Sequence, residues 1–223
     1  MVAKAQSPKV RDPEATRSRI LAAAKTEFAR KGLGGARVDD IAIRAKANKR
    51  MLYHYFGNKD ELFRITLEDA YGSIRTAEAK LEIEKDDPIT AIIRLVQFTW
   101  QYYLENPEFI TLVNSENLHK ARHIKSSARM REMSRPFVGR MRGLLERGAA
   151  AGVFRPDMDP AQVNITIAAI GYYYLTNRFT GSIVFERDLM NDKSLAERLD
   201  FNIKTILRLV CTPETLASLE AQS

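Results

Sequence analysis

The chain has 223 residues, 45% of them hydrophobic, with only 11 glycines and 8 prolines, so it can bury a substantial core as one large or two modest domains. No apolar run approaches the roughly 18 residues needed to span a bilayer, no apolar stretch follows the first basic residues, and one cysteine excludes an intrachain disulfide. A cytosolic protein with no membrane role is expected. Lys and Arg exceed Asp and Glu by seven, but unevenly: residues 1–60 carry 14 basic against 6 acidic side chains, residues 61–223 carry 21 against 22. The excess charge, and with it an acidic partner, belongs to the N-terminal end.

Residues 1–11, with Lys4, Lys9 and Arg11 among small and polar neighbours, read as a flexible basic arm: a plain tail, or one that reaches a minor groove. Asp12-Pro13 opens a first helix with Ile20, Leu21, Ala24 and Phe28 on one stripe and Gly32 past its end. A second helix spans about Val38 to Ala45, with Asp39 and Asp40 in the first turn, where the helix dipole favours negative charge. Lys46-Ala47 makes a tight turn and Asn48 caps a third helix, Lys49 to Tyr55. At 100° per residue Leu52 and Phe56 share one face and anchor that helix. The opposite face carries Arg50 and His54, flanked by Tyr53 and Met51 with Lys49 beside them. Two short helices joined by a tight turn, the second basic and aromatic, form a helix-turn-helix whose outer face suits a major groove. Interleaved charges without a broad apolar face argue against a membrane surface as the acidic partner.

Gly57 then breaks the chain, Asn58 caps, and Glu61 stands where a capping box needs it. Lys59, in the first turn of the fourth helix, is assigned to a DNA phosphate; a merely solvated lysine is the plainer alternative. That helix runs through Leu62, Ile65, Leu67 and Ala70 to about Leu81. Further helices are expected over about Pro88–Leu104, Glu108–Leu118, 136–150, Asp159–Thr180 and Ser194–Cys211, with 119–135 basic and irregular. The expectation is an all-α fold of about nine helices. Residues 12–60 form the helix-turn-helix domain and 61–223 a larger helical domain.

The pattern Arg17, Ile20-Leu21, Ala23-Ala24, Phe28, Gly32, Val38, Ile41-Ala42, Ala45, Leu52-Tyr53-His54-Tyr55-Phe56, Lys59 and Leu62 resembles, in residue type and spacing over about 50 residues, the DNA-binding domain of the TetR family of transcriptional regulators. The resemblance implies a small N-terminal DNA-binding domain and a larger helical domain that dimerises and usually binds a small effector. Three departures bear on detail. Where the family commonly has Gly-Val-Ser in the turn, this chain has Lys46-Ala47-Asn48, so Lys46 must accept a backbone that glycine takes more easily. Arg37 stands where the family often has Thr, and reaches further toward a phosphate. Arg50 occupies a small, often Gly, position and can bond guanine bidentately. Arg50, His54 and Tyr53 are therefore expected to read bases, while Arg37, Lys49, Tyr55 and Lys59 grip phosphates, with Asn48 and Met51 at the same surface.

Enzyme signatures are missing: there is no Gly-rich phosphate loop, nucleophile elbow or cysteine cluster, and no cofactor is expected. Glu116, His119 and His123 would share one face of a continuous helix and could hold a metal, but spacing alone is weak evidence beside the reading of polar surface residues near Lys120, Arg122 and Lys125. Cys211, in the run Ile206-Leu207-Arg208-Leu209-Val210-Cys211, reads as buried filler. Aromatic residues of the second domain suit a drug-sized ligand; Trp100, Tyr103 and Tyr173 are the pocket candidates, with Asn177 as a polar anchor, and ordinary core or dimer contact is the plainer reading. Apolar residues of the last helix, Leu199, Ile203, Ile206 and Val210, with Ile165, Ala168 and Ala169 of the helix from Asp159, would build a four-helix homodimer interface, unless they only complete a monomer core.

These features point to a DNA-binding regulator of the repressor type that is expected to bind a palindromic double-stranded operator as a homodimer and to respond to a small effector. The alternative of another class is an all-helical interaction module whose basic end binds an acidic protein. A metal enzyme built on Glu116, His119 and His123 stands third.

Overall fold

At Asp12-Pro13, Asp87-Pro88, Asp159-Pro160 and Thr212-Pro213 an oxygen-bearing side chain precedes a proline, and a helix starts at each. The side-chain oxygen accepts a backbone N–H of the first turn, and the proline stands where a missing N–H costs nothing. The computed structural model describes residues 12–221, so the arm expected over residues 1–11 lies outside the described residues. The described residues hold eleven α-helices: α1 (Pro13–Gly35), α2 (Val38–Arg44), α3 (Lys49–Phe56), α4 (Lys59–Ala79), α5 (Pro88–Glu105), α6 (Pro107–Leu118), α7 (Ala128–Ala150), α8 (Pro160–Thr176), α9 (Arg178–Val184), α10 (Asp192–Val210) and α11 (Pro213–Glu220). A short 3-10 turn covers Ile83–Lys85. Among the described residues the only strand-like pairing is a single bridge between Phe154 and Cys211.

The fold class is all-α, but three details depart from the sequence reading. Residues 128–135, expected to be irregular, form the first turns of α7, because Ser127 caps them: its Oγ accepts from Met130 N at 3.1 Å. The helix expected to run to about Thr180 stops at Thr176, where the side chain of Asn177 bonds the carbonyl of Tyr173 and a separate α9 follows. Thr212-Pro213 starts a further helix, α11, that was not anticipated.

The chain divides into two compact units, and the division falls inside helices instead of after Asp60. The first unit extends to Leu67 and also takes Leu112–Lys125; the second takes Glu68–Thr111 and the chain from Ser126 on. The reason lies in the packing of the first unit. Leu62, Phe63 and Leu67 of α4 and Leu112 of α6 are buried with Ile20, Ala24 and Phe28 of α1, Ile41 of α2, and Leu52 and Phe56 of α3. The Phe28 and Phe63 rings meet edge to face, 5.0 Å between centroids.

In the second unit α5 is the central helix, with α7, α8 and α10 packed against it. Ile92, Leu95 and Val96 of α5 share a core with Met141 and Leu144 of α7, Val163 and Ile167 of α8, and Ile206 and Val210 of α10. Ile206 and Val210, expected at a dimer interface, are fully buried in this core, so that part of the expectation is corrected: they lie on the inner face of α10. Leu199 and Ile203 are half-buried, while Ile165 and Phe201 are 59% and 58% exposed and Ala169 is exposed with them. Cys211 is buried as expected, and burial pushes its thiol up to about 11. At the end of α7, Phe154 lies directly over Gly148; a Cβ there would stand 1.9 Å from Phe154 Cδ2. The Phe154 ring is held there by backbone bonds from Arg155 N to Val210 O at 2.8 Å and from Thr212 N to Val153 O at 3.1 Å.

Candidate nucleic-acid interface and ligand cavity

The helix-turn-helix is built from α2, the turn at 45–48 and α3. Ala45 caps α2, and Lys46 takes the left-handed conformation, φ 50°, that the sequence required of it. Its neighbour Asn48 turns the chain back into a helix, with Oδ1 accepting from Met51 N at 2.8 Å. A non-glycine residue at positive φ costs about 1–2 kcal/mol, partly offset by its smaller loss of backbone entropy. Lys46→Gly should therefore stabilise the protein by about 0.5–1 kcal/mol, read as a raised midpoint in urea unfolding; an unchanged or lowered midpoint would refute the strain at this turn.

Leu52 and Phe56 are 2% and 4% exposed and seat α3 in the first unit. The opposite face holds Lys49, Arg50, Tyr53 and His54, all exposed; Met51 and Tyr55 are half-buried at its edges. The His54 ring leans edge-on against Tyr55, 5.4 Å between centroids. Lys49 Nζ is paired with Asp39 Oδ1 at 3.0 Å, which ties the start of α3 to the first turn of α2 and holds the ammonium above its ordinary pKa. Arg37, immediately before α2, is exposed and makes no side-chain cap.

Gly57, at φ 74°, makes the break before α4, and Asn58 Oδ1 accepts from Glu61 N at 2.8 Å. The expected return half of a capping box is replaced: the Glu61 carboxylate accepts from Arg64 Nε at 3.0 Å. Lys59 is half-buried, its Nζ 3.5 Å from the Gly34 carbonyl, so its ammonium is held by the C-terminal end of α1. The structure thus brings Arg37, Asn48, Lys49, Arg50, Tyr53, His54 and Lys59 into one unit with their polar ends at its surface.

Glu116, His119 and His123 do not form a metal site. The helix they needed ends at Leu118, and Lys120 and Ala121 both stand at positive φ, so the assumed single face does not exist. His119 Nδ1 contacts the Ser115 carbonyl at 2.7 Å instead. Glu116 closes the following loop: Oε1 accepts from the backbone of His123 at 2.8 Å and Ile124 at 3.1 Å, and Oε2 meets His123 Nδ1 at 2.6 Å. His123 Nε2 lies 3.3 Å from Asp60 Oδ1. Among the described residues no group of three His, Cys, Asp or Glu side chains is placed to hold a metal.

The four pocket candidates are separated. Trp100 and Tyr103 are buried on α5, Trp100 edge-on to Tyr174 at 5.6 Å and Tyr103 stacked on Phe109 at 6.0 Å. Burial pushes the Tyr103 phenol up to about 12. Tyr173 is 62% exposed, because it follows Ile165 and Ala169 at four-residue spacing on the outer stripe of α8, and Asn177 is used in ending that helix. Tyr103 instead lines a small, partly open cavity of about 40 Å³ with Arg75, Glu78, Phe98, Phe137 and Asn164; Ala168, expected at the dimer interface, lines this cavity too. Arg75 also lines an open groove of about 1210 Å³ between α4 and α7. Sequence reasoning missed Arg75, Glu78, Arg140 and Asn164. Two signals were present: an Arg75–Glu78 pair at i, i+3, and Asn164 between Val163 and Ile165 in an otherwise apolar stretch.

A helix-turn-helix with a seated, cation-bearing third helix, followed by a larger helical unit with a polar internal cavity, defines a DNA-binding regulator. Comparison with known proteins agrees. Residues 20–64 match the family model for bacterial regulatory proteins of the tetR family, and residues 88–206 match that for a tetracyclin repressor-like C-terminal domain. The HTH-type transcriptional repressor NicS of Pseudomonas putida (strain KT2440) is 40% identical over 193 residues, covering 86% of this chain and 91% of its own. The crystal structure of the putative transcriptional regulator SCO4942 from Streptomyces coelicolor superposes with a TM-score of 0.67 at 25% identity, covering 87% of this chain and 98% of that one. FadR from Bacillus subtilis, solved in complex with stearoyl-CoA, shares the fold with a TM-score of 0.64 at 14% identity, over 86% and 97% of the two chains. The chain belongs to the TetR family of transcriptional regulators.

Proposed function

We propose that the protein is a repressor that binds a near-palindromic operator as a two-fold homodimer, one α3 in each major groove, and releases it when a small molecule enters the second unit. The observation that carries the reading is the two-sidedness of α3: Leu52 and Phe56 buried, Lys49, Arg50, Tyr53 and His54 exposed. Arg50, His54 and Tyr53 read base edges or the groove wall; Arg37, Lys49, Tyr55 and Lys59 hold phosphates, with Asn48 and Met51 at the margin. The outer stripe of α8, Ile165, Ala169 and Tyr173, and Phe201 of α10 supply the apolar face that a second copy would cover, with Leu199 and Ile203 beside it. A bound effector would act through α4, a single helix that starts at the phosphate-binding Lys59 and ends among the cavity residues Arg75 and Glu78.

Two variants test the division of labour once an operator has been selected from random duplex DNA. Arg50→Ala should cost about 1–3 kcal/mol and relax preference at one position of each half-site, whereas Lys59→Ala should weaken all sequences alike. If both lowered affinity with preference unchanged, the base-reading role of Arg50 would be wrong. A gel-shift with random duplex DNA addresses the acidic-protein alternative, which predicts no retained duplex.

A further inference from the structure

The polar cluster on the cavity of the second unit carries a specific ligand chemistry. Arg75 and Arg140 both donate to Glu78, Arg140 Nη2 to Oε1 at 3.2 Å and Arg75 Nη1 to Oε2. All three are largely buried, with side-chain exposures of 19%, 20% and 4% for Arg75, Arg140 and Glu78. Two guanidinium groups against one carboxylate leave one positive charge uncompensated in a desolvated place, where it acts more strongly than at a surface. Burial pulls the Arg75 guanidinium below its ordinary pKa and pushes the Glu78 carboxyl above the ordinary carboxylate value. The groove that Arg75 and Arg140 also line adds Lys80 and Arg129 against Asp69 and Glu82, which balance, so the spare charge stays with the Arg75–Arg140 pair.

A second, independent observation gives the complementary half. Arg140 Nε and Asn164 Nδ2 are buried without a hydrogen-bond partner, and Asn164, only 9% exposed, lines the small cavity. Both orphans are donors, and buried donors are rarely left unpaired. Each lacks an acceptor: Asn164 lines the cavity and Arg140 the groove, Arg75 lines both, and the spare charge says that the acceptor is anionic. The small, partly open cavity, about 40 Å³, has room for a few waters or one carboxylate. Its walls include the Phe98, Tyr103 and Phe137 rings, with the Arg75 guanidinium 3.6 Å above the centre of Phe137. A planar carboxylate matches the donor geometry of guanidinium and amide groups better than a tetrahedral dianion matches a single spare charge.

We propose that the effector is a small organic monocarboxylate, its carboxylate held by Arg75, Arg140 and Asn164 and its apolar body extending past Phe137 into the groove between α4 and α7. This rests on the reading that the second unit takes an effector, and it names the chemical class. Glu78 stays in place as the partner that keeps the two guanidinium groups together in the empty protein.

The test uses the full-length protein and titration calorimetry with benzoate, phenylacetate and hexanoate, each beside its own carboxamide. At least one acid should bind about tenfold or more tightly than its amide, because only the acid supplies the counter-charge. Asn164→Leu should remove that acid's binding by about tenfold while leaving thermal stability unchanged or raised, since Asn164 Nδ2 supports nothing in the free protein. Arg140→Lys should weaken the acid and spare the amide. If no acid exceeds its amide, or if Asn164→Leu binds as the unaltered protein does, the assignment is overturned. A gel-shift with the selected operator separates the two readings. Acid binding without operator release overturns the effector role and keeps the site, whereas release by an amide or an amine alone overturns the monocarboxylate and keeps the role.

Discussion

Operator affinity should fall about a thousandfold or more when salt is raised from about 50 to about 200 mM, because binding releases the counterions of roughly six to ten neutralised phosphates. The cations that would do this are on one unit: Arg37, Lys46, Lys49 and Arg50 are exposed around the helix-turn-helix, and Lys59 opens α4. They do not count equally. Lys49 already has Asp39 at 3.0 Å, so a phosphate would share an ammonium that is partly neutralised, whereas Lys59 is held, among the described residues, by the uncharged Gly34 carbonyl at 3.5 Å. In an anisotropy titration across a salt series, Lys59→Ala should flatten the slope of log affinity against log salt by about 1 for each half-site, and Lys49→Ala by less. A slope near zero for the unaltered protein would contradict DNA binding through this face.

Gly148→Ala should lower stability by about 3 kcal/mol or more, among the largest effects available from one methyl group. The added Cβ would meet Phe154 at 1.9, 2.4 and 2.6 Å from three ring carbons, and the ring cannot swing aside. Phe154 is 1% exposed, and its backbone is pinned by the pairing of Val153–Arg155 with Val210–Thr212. Chemical unfolding measures the loss. Gly143→Ala on the same helix meets no atom within 4 Å and should instead stabilise by about 0.5–1 kcal/mol through helix propensity. Equal effects at the two positions would show that Phe154 is not what Gly148 accommodates.

Local chemistry made much of this legible in advance. Caps and prolines at Asp12, Asp87 and Asp159, the anchor pair Leu52 and Phe56, and the strained turn at Lys46 all depend on residues within one helical turn of each other, so spacing and residue type suffice. The same reasoning failed wherever one helix face had to be assigned to core, partner or cavity. Ile206 and Val210 carry the same apolar periodicity whether they meet α5 or a second copy. Tyr103 and Tyr173 look alike as residues, yet one is buried and the other 62% exposed. Glu116, His119 and His123 had metal-ligand spacing, and two left-handed residues at Lys120 and Ala121 dissolved the face they needed.

The sequence by itself therefore determined that the chain is all-helical, where most helices begin, and that a basic, two-sided third helix follows a tight turn, because capping, periodicity and charge are properties of neighbours along the chain. Only the tertiary structure decided that Arg75 and Arg140, 65 positions apart, share Glu78, that Asn164, its amide unpaired, lines the same cavity as Arg75, and that Gly148 makes room for Phe154. Those pairings come from helices packing side by side, and no local pattern records which residue a distant helix will bring against which.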